Sequence, residues 1–311
     1  MSGGSVFATG ADESYGYHLL NLLGSVKKNS DVFDRIVAFD LGLTEHQRAL
    51  LAAVPGVDVV RVPPFVPHWA RGFTWKPWAW THAEGDAVFW LDAGATVLRP
   101  LVPALEQIRE LGYFLVSQGN RLADLVPSGY ARDYGISPEA LARPYVAAGV
   151  IGFAPGSTFF EKVIVPTYED CLRGRNLGFS AGEESSKNFG LNRGPVDAVH
   201  DCPHFRWDQT ILNLHVTREL PDARIADLDE YGGWRSRRDH PRQVIWHHRR
   251  RGDLLYLPRV PYTGRTRLTG RAFGVYFALR WSAKLREHLR RRRTYVLKAR
   301  ALTAARARAR R

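Results

Sequence analysis

The 311-residue chain predicts an α/β domain with a mostly parallel sheet and helices on both faces, on three observations. Strand-like and helix-like segments alternate through its first third. The run Ala87-Val88-Phe89-Trp90-Leu91 has no polar residue, as expected of a strand covered by helices on both faces. With 45% hydrophobic and 12% aromatic residues, the chain can bury a sizeable core. The β-α-β-α-β-α-β order then implies parallel strands joined by crossover helices in a three-layer, Rossmann-like domain.

Ser5-Val6-Phe7-Ala8-Thr9 reads as a buried strand, and Tyr15 to Val26 follows it with Leu19, Leu20, Leu22 and Leu23 in helical spacing. Arg35-Ile36-Val37-Ala38-Phe39 is a second strand. The next helix opens at Thr44-Glu45-His46-Gln47, a capping box in which hydroxyl and amide side chains satisfy free N–H groups of the first turn. Residues 57–62 form a third strand closed by Pro63-Pro64. Pro77, a residue favoured at a first helical position, opens a helix to about Ala83, and residues 87–91 form the fourth strand. Strands are expected at 112–117 and 148–153, with a helix around 159–172. Residues 173–200, rich in Gly, Ser and Asn, read as a mobile loop of the kind that is usually functional or disordered. A helix over 207–216 and a strand over 243–246, just before His247 and His248, complete the pattern.

Charge is distributed unevenly. The chain carries +13, but residues 284–311 alone hold twelve Lys or Arg against the single acid Glu287. The body is thus nearly neutral, which argues against a nucleic-acid-binding domain with a basic face. We divide the chain into a main domain over residues 1–262 and a basic, partly helical extension over 263–311. In the extension Phe273, Tyr276, Phe277 and Trp281 follow helical spacing and precede Arg290 to Arg293, a pattern suited to an anionic membrane surface. A plain solvated extension accounts for the same charges. Cys171 and Cys202 lack any zinc spacing, the N-terminus has no basic leader, and no run reaches about 20 apolar residues. The expected location is cytoplasmic, at most peripheral to the inner face of a membrane.

Common cofactor signatures are absent: the chain has no Walker A motif, no Gly-x-Gly-x-x-Gly after the first strand and no His-Glu-x-x-His. Gly178-Phe179-Ser180-Ala181-Gly182 matches a hydrolase elbow but lacks the flanking strand and helix that the elbow needs. Ligands of parallel sheets gather at the carboxyl ends of the strands. That points to Gly10-Ala11-Asp12, to Asp40 and to Asp92-Ala93-Gly94. Asp92, at the tip of an apolar strand and followed by small residues, offers one carboxylate with room for a bulky ligand, although an Asp there also caps turns.

At Phe89-Trp90-Leu91-Asp92-Ala93-Gly94 the chain resembles the GT-A nucleotide-sugar glycosyltransferases, similar to the glycogenin and bacterial galactosyltransferase group with its Asp-x-Asp motif. Further pieces follow in that family's order over residues 5–262. They are Ala8-Thr9-Gly10 with Asp12 and Tyr15, Lys76 within Phe73-Thr74-Trp75-Lys76-Pro77, Val146 to Phe153, Trp207-Asp208-Gln209, and Val244 to His248. The resemblance implies a hexosyltransferase acting on a nucleotide diphosphate sugar, UDP-sugar foremost, with a glycan, lipid or protein acceptor and retention of configuration. It places Ala8, Thr9, Asp12, Tyr15, Lys76, Asp92 and Gly94 at the donor. His204, Arg206, Asp208 and Gln209 would meet the acceptor or transferred sugar, with Asp208 and Lys76 catalytic. Asp92 with His247 or His248 would hold Mn2+ or Mg2+.

Two departures weaken that metal site. Gly94 stands where the second Asp belongs, and Ala147 where an Asn would be. One carboxylate and one His make a poor cage for cations that prefer oxygen, so Lys76 is a rival source of positive charge. His247 and His248 are adjacent on a strand and point to opposite faces. Asp208 at a helix start also fits a cap. Trp75, Trp78 and Trp80 are read as core ahead of a sugar-stacking platform. Two rival functions remain: a non-catalytic nucleotide-sugar-binding protein with this fold, and a nucleic-acid-binding protein acting through its tail.

Overall fold

Strand β1 (Ser5–Ala11) is buried along its whole length, and its side chains alternate between two different cores. Val6 and Ala8 enter one apolar cluster with Trp78, Trp80, Trp90, Val163 and Leu212. Phe7 points the other way, with its ring 5.2 Å from that of Phe33 and 6.3 Å from that of Phe89. A strand packed on both faces needs helices on both sides, and the chain supplies them.

In this computed structural model the described residues are 4–178, 205–232, 242–248, Leu254 and Tyr256. They belong to the first of two units, Met1–Thr263; the second, Gly264–Arg311, lies outside them. The C-terminal extension, His204 and residues 179–182 of the Gly-x-Ser-x-Gly match therefore fall outside the described residues.

After β1 come α1 (Gly16–Asn29), β2 (Arg35–Asp40), α2 (Glu45–Ala52), β3 (Val57–Arg61), α3 (Trp75–Thr81) and β4 (Ala87–Leu91). A short β5 (Ala95–Val97), α4 (Val102–Leu111), β6 (Tyr113–Arg121), α5 (Ser128–Asp133) and β7 (Pro144–Phe153) follow. A π-type turn at Phe160–Ile164 leads into α6 (Val165–Leu172). Then come α7 (Asp208–Glu219), β8 (Ile225–Ala226), α8 (Leu228–Tyr231) and β9 (Ile245–His247). The main sheet has seven strands in the order β3-β2-β1-β4-β7-β6-β8. Only β7 runs against its neighbours; the pairings β3-β2, β2-β1, β1-β4 and β6-β8 are all parallel. The mostly parallel α/β sheet expected from the sequence is present.

The capping box at α2 forms as expected. The Gln47 N–H donates to Thr44 Oγ1 at 3.2 Å and the Thr44 N–H to Gln47 Oε1 at 3.0 Å. Gln47 Nε2 also donates to the Glu13 carbonyl at 2.9 Å, which ties this helix start to the loop after β1. Elsewhere the boundaries shift. The third helix starts at Trp75, so Pro77 sits two residues inside it, still within the first turn where a missing N–H costs nothing. The strand expected at 148–153 extends back to Pro144, and the strand expected at 243–246 is β9, which pairs with β5 outside the main sheet. Trp207 occupies the N-cap position of α7, so Asp208 is not that helix's cap but its first residue.

Candidate active site

The carboxyl ends of β1 and β4 lie side by side, because Ala8 pairs with Trp90 in a parallel register. Asp92 follows β4 directly, and its N–H donates to the Gly149 carbonyl of β7 at 2.9 Å. Trp90 lies two residues back, on the same face of the strand, and its indole N–H donates to Asp92 Oδ1 at 3.0 Å. Gly149 makes room for the carboxylate: a Cβ there would stand 3.0 Å from Asp92 Oδ2. A Gly149→Ala protein is therefore expected to keep its fold but to melt a few degrees lower as the carboxylate shifts, measured by thermal unfolding against the parent.

Lys76, on the first turn of α3, points at this carboxylate. Its Nζ lies 3.0 Å from Asp92 Oδ1 and 3.1 Å from Oδ2, and 3.9 Å from Asp208 Oδ2 at the start of α7. The Lys76 side chain is 6% exposed and that of Asp208 4%, whereas Asp92 is 40% exposed. The ammonium is thus held beneath a carboxylate that opens to solvent. Aromatic faces complete its surroundings, with the Phe73 centroid 5.1 Å and the Trp75 centroid 5.8 Å from Nζ.

Burial works against the charge on Lys76, but Asp92 and Asp208 more than offset it and hold the ammonium above the usual lysine pKa. Asp208 shows the opposite balance. Desolvation pushes its carboxyl up to about 7, against the pull of Lys76 and the N–H groups of its own helix start, while Asp92 adds repulsion. Its Oδ2 has no hydrogen-bond partner among the described residues. A buried acceptor without a donor is costly to keep, which makes Asp208 a candidate to meet a ligand.

Two non-glycine residues with positive φ flank this pair. Phe73 (φ 57°) precedes α3 and Trp207 (φ 49°) precedes α7, and their rings meet edge to face at 6.0 Å. Left-handed backbone in bulky residues is uncommon and gathers at functional sites. Asn176 braces the first of these turns, donating to the Gly72 carbonyl and to Thr74 Oγ1, each at 2.8 Å. Gln209 Nε2 donates to the Val146 carbonyl at 2.7 Å and to Gln118 Oε1, so its amide is anchored to β7 and β6.

The remaining residues singled out in the sequence are placed as follows. Gly10 lies under Trp75, where a Cβ would stand 3.1 Å from the indole; only glycine lets that ring approach the end of β1. Thr9 is buried and its Oγ1 has no hydrogen-bond partner among the described residues, while the Ala8 side chain is buried in the apolar cluster. Asp12 is exposed and accepts from the N–H groups of Ser14 and Tyr15 at the entry to α1. The Arg206 N–H donates to Thr210 Oγ1 at 3.0 Å. Asp40 is a structural turn: Oδ1 accepts from the N–H groups of Gly42 and Leu43 at 2.8 and 2.6 Å, and Arg48 pairs with Oδ2 at 3.1 Å. Burial notwithstanding, these bonds hold its carboxyl below the usual range. Trp78 and Trp80 are core, as read from the sequence, whereas Trp75 is half-buried and faces Lys76.

The pair β5-β9 brings His247 and His248 beside the loop after Asp92. His247 pairs with Ala95, and the His248 N–H donates to the Gly94 carbonyl at 3.1 Å. His248 is buried, with Nε2 2.8 Å from Thr96 Oγ1, which in turn accepts from Asn21 at 3.2 Å. Neither set of contacts joins a His to Asp92. Among the described residues no group of three or more His, Cys, Asp or Glu is placed to hold a metal ion. The donor set does not fit a divalent cation, since both Asp92 oxygens face Lys76 and one also accepts from Trp90. No helix among the described residues is long and apolar enough to cross a membrane.

Sequence reasoning missed Trp90 as a partner of Asp92, although alternation along a strand places i and i+2 on one face. It also missed Asn176 and Gln118, which lie far from the site in sequence and carry no local signal.

No family of known sequences matches the chain, and no curated protein matches it. Solved structures do resemble it. The galactosyltransferase LgtC in complex with donor and acceptor sugar analogues is 17% identical over 84% of this chain and 88% of its own, with a TM-score of 0.44. An active-site mutant of LgtC is 17% identical over 78% and 86%, with a TM-score of 0.43. The apo WbbM bifunctional glycosyltransferase is 11% identical over 74% of this chain, with a TM-score of 0.48, and the match spans only 40% of WbbM.

Proposed function

We propose that the chain is a glycosyltransferase that moves a hexose from a nucleotide diphosphate sugar, UDP-sugar foremost, to a glycan, lipid or protein acceptor. The observation that carries this reading is the buried Lys76 ammonium held between Asp92 and Asp208 at the carboxyl ends of the sheet. That is the part of a parallel sheet where nucleotides bind, and charge develops there when a diphosphate departs. In the reaction, the bond from the anomeric carbon to the diphosphate oxygen breaks and the electron pair stays on the diphosphate. The acceptor hydroxyl oxygen forms the new bond to that carbon, and its proton passes to the departing diphosphate oxygen. Lys76 stabilises the departing diphosphate. Asp92 fixes Lys76 from the solvent side and meets the donor. Asp208, with a pKa near neutrality, hydrogen-bonds a hydroxyl of the transferred sugar or acceptor. The half-buried rings of Phe73, Trp75 and Trp207 offer apolar faces beside these groups for a sugar ring.

Thermal unfolding with UDP-, GDP- and TDP-sugars tests the reading, because a ligand held only by the native state raises the melting temperature. One nucleotide series is expected to raise it by several degrees at about 100 times its Kd. No shift with any donor at millimolar concentration would remove the transferase reading.

A further inference from the structure

We infer that Lys76 is the resident cation of this site and that the protein binds its nucleotide diphosphate without a divalent metal. The inference rests on the nucleotide-sugar reading for the identity of the ligand, but its cation half stands on the geometry alone. A metal at Asp92 would need the carboxylate oxygens that face Lys76 Nζ at 3.0 and 3.1 Å, and it would bring a double positive charge against an ammonium already in place. The ammonium cannot readily swing aside. It is buried, with Asp208 on one side and the rings of Phe73 and Trp75 on others.

Gly94 and His248 are also committed elsewhere. Gly94 has no side chain to offer, and its carbonyl accepts the His248 N–H. His248 Nε2 is engaged with Thr96 in a buried chain of polar contacts that runs through Asn21 of α1 to the Tyr256 N–H. Among the described residues, hard cations with oxygen-rich shells find too few oxygens here. A lysine fixed by two carboxylates meets the same electrostatic need, because it presents one permanent positive charge to the diphosphate and needs no reorganisation when the donor arrives.

Two measurements on the full chain decide the matter. In the first, Mn2+ is titrated into metal-stripped protein and the free aqueous ion is followed by its electron paramagnetic resonance signal. The parent and an Asp92→Asn variant are expected to leave the same signal. A parent that takes up one Mn2+ more than the variant at sub-millimolar concentration would overturn the inference. In the second, UDP, GDP and TDP are titrated calorimetrically in EDTA and again in Mn2+. One of them is expected to bind with affinities that agree within about threefold between the two buffers, and to bind at least about thirtyfold more weakly to a Lys76→Met variant. Binding seen only with Mn2+ would also overturn the inference. If no nucleotide bound in either buffer, the transferase reading would fall, while equal Mn2+ signals would still support Lys76 as the cation of the site.

Discussion

On the proposed glycosyl transfer, a Lys76→Ala protein is expected to turn over roughly a hundred to a thousand times more slowly than the parent, the usual cost of removing one preorganised donor to a developing anion. The loss has a specific origin. Lys76 is the ammonium that contacts both Asp92 and Asp208, so its removal leaves two carboxyl groups facing each other across the vacated space. Asp208, already pushed up to about 7 by burial, loses the one influence of a charged side chain that lowers it and stays protonated. Lys76→Arg is not expected to restore the rate. The planar fork is larger than an ammonium, and Phe73 and Trp75 close around the present group at 5.1 and 5.8 Å. A small primary amine added to the alanine variant is expected to recover part of the rate, because the cavity left behind is lined by carboxylates. Unchanged turnover in the alanine variant would show that the ion pair is architectural.

The same residues show how far the sequence could be read. Asp92 was legible from local pattern, as a polar residue at the tip of an apolar strand, whereas Lys76 and Asp208 were nominated by the family resemblance. Their convergence on one ammonium was not legible, because it depends on how α3 and α7 cross the ends of β1 and β4. The four parallel strands β3, β2, β1 and β4 followed from alternating apolar runs and the crossovers between them. The reversal at β7 could not be read in that way, since an apolar run has no direction. Helix α4 was missed although its signals are present: apolar Ala104, Leu105 and Ile108 at helical spacing, and Gly112 in the left-handed conformation that ends it. Asp40 shows the converse. It stands at a strand tip as Asp92 does, yet two backbone N–H groups and Arg48 consume its carboxylate. Position at the end of a strand nominates a residue; what its carboxylate then meets, turn N–H groups and Arg48 at Asp40 but a buried ammonium at Asp92, separates the two.

Asp208→Asn is expected to make the protein more stable at pH 8 and less active. The sign follows from linkage. The folded chain holds the Asp208 proton up to about pH 7, whereas an unfolded chain releases it near the ordinary carboxyl value of 3.8. Between those values the native state binds more protons than the unfolded one, so this group makes stability fall as pH rises through the window. A shift of that size corresponds to about 4 kcal/mol above pH 7, at roughly 1.4 kcal/mol for each pH unit. Asparagine has nearly the same shape and does not titrate. The melting temperature of the variant is therefore expected to match that of the parent near pH 4 and to exceed it by several degrees at pH 8. Lys76 keeps Asp92 as a partner in the variant, so the ammonium is not stranded. Activity is expected to move the other way: the parent's rate changes with pH through an apparent pKa near 7, and the variant loses that limb along with most of its turnover. A variant less stable than the parent at pH 8 would mean that the attraction between Asp208 and Lys76 outweighs the cost of burying the carboxylate. The stored cost of an ionised, buried Asp208 is what a site loses in stability when it keeps a carboxylate ready for a ligand and not for the fold.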